Sequence, residues 1–227
     1  MKDRTFKRII GSDNPLETAR VILAPYNMQL VNNKIKTCDL CNNNCEKNFS
    51  YGNPNADILI VCDYATDIPK HKKFFDEVMK FCHLTENDVF VTHAVNCICK
   101  RSDGNYRLPS YTELTNCKEY TDFIIDFVKP LVIISMGAAT LNQFTPDHVN
   151  LLDNIEKNTC YKGTHTIITY SVRDIFNFDK LRENTEEKVD HIIKSFNKAK
   201  EFVENRRWKD DLLHYGPNRN RQNYYCT

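Results

Sequence analysis

Glycine is scarce in this chain, with six among 227 residues, beside eight prolines and a single tryptophan. That scarcity leaves no room for a glycine- or proline-rich linker, and no low-complexity stretch or internal repeat is seen. No sign of charge dominates either. Lys and Arg total 31 against 30 Asp and Glu, a net charge of +1, which excludes a strongly basic DNA-coating protein and a highly charged disordered chain. No run approaches about 18 consecutive apolar residues, so no membrane span is expected. Met1 to Arg8 has no apolar stretch behind it, so no secretory signal is expected and the chain reads as cytoplasmic.

The length favours one domain, and the 41% apolar content is enough to build a core. Asparagine is abundant, at 25 residues, a bias read without functional content. Ten cysteines are many for a chain of this size. In a reducing cytosol they would remain thiols, so a metal or cluster site using some of them is the first expectation.

The middle of the chain alternates strand-like and helix-like segments. Asp57–Cys62 is a short apolar run behind the turn residues Gly52 to Asn55 and reads as a strand buried on both faces. Helical spacing follows over 72–82, then strands over Val89–Val95, Leu131–Ser135 and Thr166–Tyr170. Ser110 and Glu113 have capping-box spacing and open a helix carrying Leu114, Cys117 and Ile124 on one face. A last helix is expected over about 185–203. This order implies an α/β fold of three layers, α/β/α, around a central, mostly parallel four-stranded sheet. Residues 1–205 are expected to form one domain. Residues 206–227 form a basic-aromatic tail that either docks on that domain or lies on nucleic acid.

Ligands of open α/β sheets collect outside the carboxyl ends of the strands. That rule nominates Asp63, Tyr64, Asp67, His93, Asn96, Gly137, Ser171 and Arg173. Separately, Cys38-Asp39-Leu40-Cys41 is a C-x-x-C knuckle that can grip one metal centre, with two further ligands to come from Cys45, Cys97, Cys99 or Cys117. Cys62 and Cys82 lie in apolar patterns and read as core. Spacing leaves tetrahedral zinc and an iron–sulfur cluster both open, although a distributed 2+1+1 arrangement suits a cluster.

The knuckle, the block Gly52-Asn53-Pro54-Asn55-Ala56-Asp57 with its strand, and Thr92-His93-Ala94-Val95-Asn96-Cys97 occur in an order that resembles the iron–sulfur (family 4) type of the uracil-DNA glycosylase superfamily. The segments Leu108 to Cys117 and Lys129 to Ala139 extend the likeness, which runs from about Thr37 to Tyr170. The resemblance implies a [4Fe–4S] cluster on Cys38, Cys41, Cys97 and Cys117, with Cys45 and Cys99 as non-ligands and zinc as the alternative. It also implies that the protein flips a base from DNA and cleaves its N-glycosidic bond. The family's acid-bearing loop aligns with Cys62 to Thr66, placing Asp63 as the catalytic carboxylate and Tyr64 at the base. The stacking phenylalanine corresponds to Phe74 or Phe75, the base-reading asparagine to His93, and the histidine of the last motif to Ser171.

Those substitutions at Asp63, His93 and Ser171 imply weakened or altered base specificity. The competing expectations are a catalytically inactive glycosylase-fold nucleic-acid-binding or regulatory module, and a zinc-stapled α/β protein unrelated to DNA. Arg173, Lys100 and Arg101, with Lys70, Lys72, Lys73 and Arg107, are expected phosphate contacts. The expected partners are DNA, single-stranded included, and replication or repair proteins, with the chain itself a monomer.

Overall fold

The computed structural model describes residues 15–41, 45–63, 68–145, 149–155, 157, 159–176 and 184–214, the side chains of 15–22 and 207–214 excepted. The expected strand over 57–62 forms as β2 (Ile58–Cys62), after a two-residue strand β1 (Tyr51–Gly52) and a first helix α1 (Pro15–Lys36). Then come α2 (Pro69–Phe81), β3 (Val89–His93), α3 (Tyr111–Val128), β4 (Val132–Met136) and α4 (Ala138–Phe144). The chain continues through β5 (Thr159–Tyr161), β6 (Thr164–Thr169), α5 (Val172–Phe176) and α6 (Thr185–His214). No helix among the described residues is long and apolar enough to cross a membrane.

The sheet has six strands in the order β1-β3-β2-β4-β6-β5, which corrects the expected count of four. The four expected strands are its parallel centre, with β3, β2, β4 and β6 all running the same way. Short antiparallel strands close both edges. These edge strands have two and three residues, too short to carry a period-two signal.

Alternate residues of the central strands feed two cores. Ile58, Ile60, Val91 and Ile134 pack against α2 and α6, through Phe75, Val78, Ile192 and Phe196. Leu59, Val61, Phe90 and Ile133 pack on the other face against α1 and α3, through Met28, Ile35, Ile124 and Val128. The sheet is therefore apolar on both faces, as parallel sheets require. Helix α3 opens with the expected capping box: Ser110 Oγ accepts from the Glu113 N–H at 3.3 Å, and the Ser110 N–H donates to Glu113 Oε2 at 2.7 Å. Helix α6 runs past the expected end near Val203 to His214, so the start of the expected tail is helical. Its remainder, from Tyr215 to Thr227, lies outside the described residues.

After β2 the chain adds β3 on one side of it, then crosses to add β4 on the other. The point where the order reverses lies between the carboxyl ends of β2 and β4, the place where open α/β sheets open a crevice for ligands. Asp63 and Gly137 are the first residues beyond those two strands.

Candidate functional site

The strand ends are level. Cys62 pairs with His93 on one side and with Met136 on the other, and Met136 pairs with Thr169. Backbone bonds then tie the first residues beyond the ladder: Asp63 N donates to Met136 O at 3.1 Å, Gly137 N to Thr169 O at 2.9 Å, and Ala94 N to Cys62 O at 2.8 Å. His93, Asp63, Gly137 and Ser171 thus line one edge of the sheet, as the strand-end rule nominates them. All three side-chain-bearing members are buried: Asp63 5% exposed, His93 1% and Ser171 2%.

Asp63 and Ser171 follow strands that are separated by β4, yet both side chains close in on Gly137 at the end of that strand. Gly137 makes that approach possible. A Cβ at this position would stand 2.1 Å from Asp63 Oδ2 and 2.8 Å from Ser171 Cβ, and the residue has φ +93°. Ser171 is itself fixed by its own turn, its N–H donating to Asp174 Oδ2 at 3.0 Å and its Oγ accepting from the Arg173 N–H at 3.1 Å. Burial pushes the Asp63 carboxyl up to about 7, against the opposing pull of the Ser171 hydroxyl. Burial also pushes the His93 imidazole down to about 3, so it is neutral at physiological pH. The carboxyl is thus balanced between its two forms, and the neutral imidazole offers one donor and one acceptor.

Tyr64 and Asp67 lie outside the described residues. Phe75 is 2% exposed and meets Phe196 edge-on at 6.1 Å within the core. Phe74 is half-buried and meets Phe176 of α5 edge-on at 5.8 Å, while His71 stacks on the same ring at 5.4 Å. Of the two phenylalanines, Phe74 is the one that touches the helix following Ser171. Lys100 and Arg101 are exposed at a short hairpin closed by the Lys100 to Tyr106 bridge and an Arg101 N to Asn105 O bond of 2.7 Å. Lys100 also reaches Glu46 at 3.5 Å and lies over the Tyr106 ring. Lys72 pairs with Asp76 at 2.9 Å. Arg107 departs from the expected phosphate contact: its guanidinium is spent inside the protein on Glu113, in two bonds of 2.7 Å.

The cysteines converge at the far end of β3. Cys38 and Cys41 follow α1, Cys97 follows β3, and Cys117 is buried on the sheet-facing side of α3 as its spacing implies. Two of them receive a hydrogen bond: Asn116 Nδ2 donates to Cys41 Sγ at 3.4 Å and Lys47 Nζ to Cys97 Sγ at 3.6 Å. Burial opposes the charge on Lys47, but the sulfurs of Cys97, Cys45 and Cys38 outweigh it and raise its pKa. Among the described residues, no group of three or more His, Cys, Asp or Glu side chains is drawn together in a way that would hold a metal ion. Cys62 and Cys82 are core residues, 3% and 1% exposed. Cys160 departs from the all-thiol expectation, being disulfide-bonded with its partner outside the described residues.

The strand-end rule points to Gly137 but not to Asp174, Asn116 or Lys47, whose contacts appear only in the structure. Asp174 carries a local signal, an acidic residue three positions after a serine. Lys47 and Asn116 act only through residues distant in sequence. Compared with known protein families and with characterised proteins, the chain matches no family model and no characterised sequence.

Proposed function

We propose that the chain is a DNA-binding protein of the iron–sulfur uracil-DNA glycosylase type, with the three-layer architecture of that superfamily, and that it excises a base other than uracil or excises uracil weakly. The observation that carries this reading is the Asp63 carboxyl, held over Gly137 at the switch point of the sheet. Cleavage of an N-glycosidic bond develops positive charge on the sugar and negative charge on the departing base. Ionised Asp63 would orient water and balance the sugar, and its protonated form would supply a hydrogen bond. Neutral His93 would read the base edge with one donor and one acceptor. Ser171 lacks the ring that stabilises a departing base, and loss of one such stabiliser costs about 2.7–4 kcal/mol, roughly a hundred- to a thousandfold in rate. Phe74 supplies the stacking face, while Lys100, Arg101 and Arg173 supply phosphate contacts.

The cofactor reading is a [4Fe–4S] cluster on Cys38, Cys41, Cys97 and Cys117, and it is supported by an all-sulfur ligand set in which Cys41 and Cys97 each accept a hydrogen bond. Zinc on the same four sulfurs is the alternative. When bound, either would staple the 38–41 segment to β3 and α3.

The near-complete burial of Asp63, His93 and Ser171 favours a second reading, a binding module without catalysis. One experiment separates them. Single-stranded and duplex oligonucleotides, each with one modified or deaminated base, are incubated with the wild type and with Asp63→Asn and assayed for abasic sites. Excision of one base, lost in Asp63→Asn, supports the enzyme. Binding to all with abasic sites in none supports the module, and strong uracil excision defeats the claim of altered specificity.

A further inference from the structure

We propose that Thr140 is a positioning residue of the strand-end site, its hydroxyl setting the Gly137 peptide over which Asp63 and Ser171 close in. The inference deepens the enzymatic reading above and rests on it for its chemistry.

Ser135 of β4 and Thr140 of α4 are both 0% exposed. Ser135 is level with Val61, whose side chain belongs to the α1 and α3 core, so its own side chain lies on that face of the sheet. The two hydroxyls form a directed chain. The Gly137 carbonyl oxygen can only accept, so the Thr140 hydroxyl commits its one hydrogen to it, at 2.8 Å, and accepts in turn from Ser135 Oγ, at 2.9 Å. Reversing the chain would leave the Gly137 oxygen without this donor.

Gly137 is a residue that needs holding. Its φ of +93° and ψ of 171° lie in a region that essentially only glycine visits, and such a conformation persists where its surroundings over-determine it. Its N–H donates to Thr169 O at 2.9 Å, and its oxygen also takes the Leu141 N–H at 3.3 Å. The Leu141 bond is long for its kind, so the Thr140 hydroxyl is the tighter clamp on the peptide that follows Gly137. Released from it, glycine turns readily to other backbone angles, and the gap that Asp63 and Ser171 share changes shape.

A threonine that bonds to the carbonyl three residues back is also an ordinary local motif of a helix start. The two roles differ in what they do to Asp63. A helix cap acts on α4 alone, whereas a positioning residue sets the surroundings of the Asp63 carboxyl. The titratable and charged neighbours that act on Asp63 are Cys62 before it and Arg173 and Asp174 of α5. Thr140 bonds to none of them, its partners being Ser135 and Gly137. A change at Asp63 on altering Thr140 therefore reports on Gly137.

The test uses the full chain, with carbon-13 in its aspartate carboxyls, as wild type, Thr140→Val, Thr140→Ser and Asp63→Asn, the last to assign the Asp63 resonance. Thr140→Val keeps the shape and removes the hydroxyl, while Thr140→Ser keeps the hydroxyl. The Asp63 midpoint is expected to be shared by the wild type and Thr140→Ser. In Thr140→Val it is expected to fall by about one pH unit or more, as the altered gap admits water to the carboxylate. On the oligonucleotide that the wild type cleaves, Thr140→Val is expected to lose about a hundredfold in kcat with KM little changed, the cost of a displaced reacting group, and Thr140→Ser to recover most of it. A folded Thr140→Val with the wild-type midpoint overturns the proposal, and so does a Thr140→Ser that titrates like Thr140→Val. Absence of cleavage by the wild type overturns the enzymatic reading instead, and the titration still decides the positioning. Should Thr140→Val fail to fold, Thr140→Ala, which sets no methyl group against the carbonyl oxygen, takes its place with the same outcomes.

Discussion

Asp63 and Ser171 come together across a strand that lies between their own, through the gap left by the absent side chain of Gly137. A methyl group there would collide with both partners, and φ +93° is a conformation that L side chains rarely adopt. Backbone strain of this kind costs about 1–3 kcal/mol, and forcing a carbon into a filled site adds about 1–3 kcal/mol. Gly137→Ala is therefore expected to lose about 2–6 kcal/mol in urea unfolding and to abolish whatever activity depends on Asp63. An unchanged unfolding midpoint would contradict the close approach.

The pH dependence of stability should report on Asp63. Its carboxyl titrates near 7 in the folded chain, against 3.8 ordinarily, because burial penalises the charge. Between those values the folded state holds a proton that the unfolded state has released. The contribution is thus present in full below about pH 4 and lost as pH rises through 7. Removing the ionisable group should then help at high pH. Asp63→Asn is expected to match the wild type near pH 4 and to exceed it at pH 8 by up to about 4 kcal/mol. Urea unfolding at the two pH values checks this, and a variant no more stable at pH 8 would contradict it. A residue whose removal stabilises the fold is one kept for another purpose.

The four central strands were legible because each is a short apolar run between turn residues, and Ser110 with Glu113 marked the start of α3. Helix α1 was not legible. Pro25 sits inside it, which normally breaks a helix, and Leu23, Tyr26 and Leu30 are exposed beside the buried Ala24, Met28, Val31 and Ile35, so the apolar stripe is blurred. The strand-end rule located Asp63, His93 and Ser171, because a parallel sheet brings such residues together whatever their identity. It could not show that Ser171 reaches Asp63 over Gly137, a contact set by sheet order. Nor could cysteine spacing bring Cys45 near Cys97, since 51 intervening positions are closed by the Lys47 bridge.

His93 is expected to stay neutral over the whole physiological range. Burial holds its pKa to about 3, whereas the unfolded imidazole titrates near 6.5. Stability is then lost as pH falls below about 6.5, by about 2 kcal/mol at pH 5. In a proton NMR titration its imidazole C–H resonances should be flat from pH 8 to 5. A midpoint near 6.5 would mean that the ring is solvated, and its role as a neutral reader of a base edge would fall.

Arg107 should behave as part of the fold and Arg101 as part of the nucleic-acid surface. The Arg107 guanidinium makes two 2.7 Å bonds to Glu113 and also donates to the carbonyl oxygens of Lys100 and Leu108, at 3.2 and 3.0 Å. Glu113 is 5% exposed and takes further bonds from the Ser110 N–H and Oγ. The side-chain bonds of Arg107 hold its carboxyl down to about 2. Stability from this pair is present above about pH 4.5 and lost as pH falls towards 2. Arg107→Ala leaves a buried carboxylate without its cation, which costs about 3–5 kcal/mol. Arg107→Lys should recover only part, because an ammonium cannot make the paired geometry. Arg101, exposed at the hairpin, touches none of this. Its alanine variant should unfold like the wild type but lower the salt dependence of DNA binding by about one unit of slope, the signature of a lost phosphate contact. If Arg107→Ala leaves stability unchanged and lowers that slope instead, the guanidinium belongs to the DNA and the internal pair does not hold the loop.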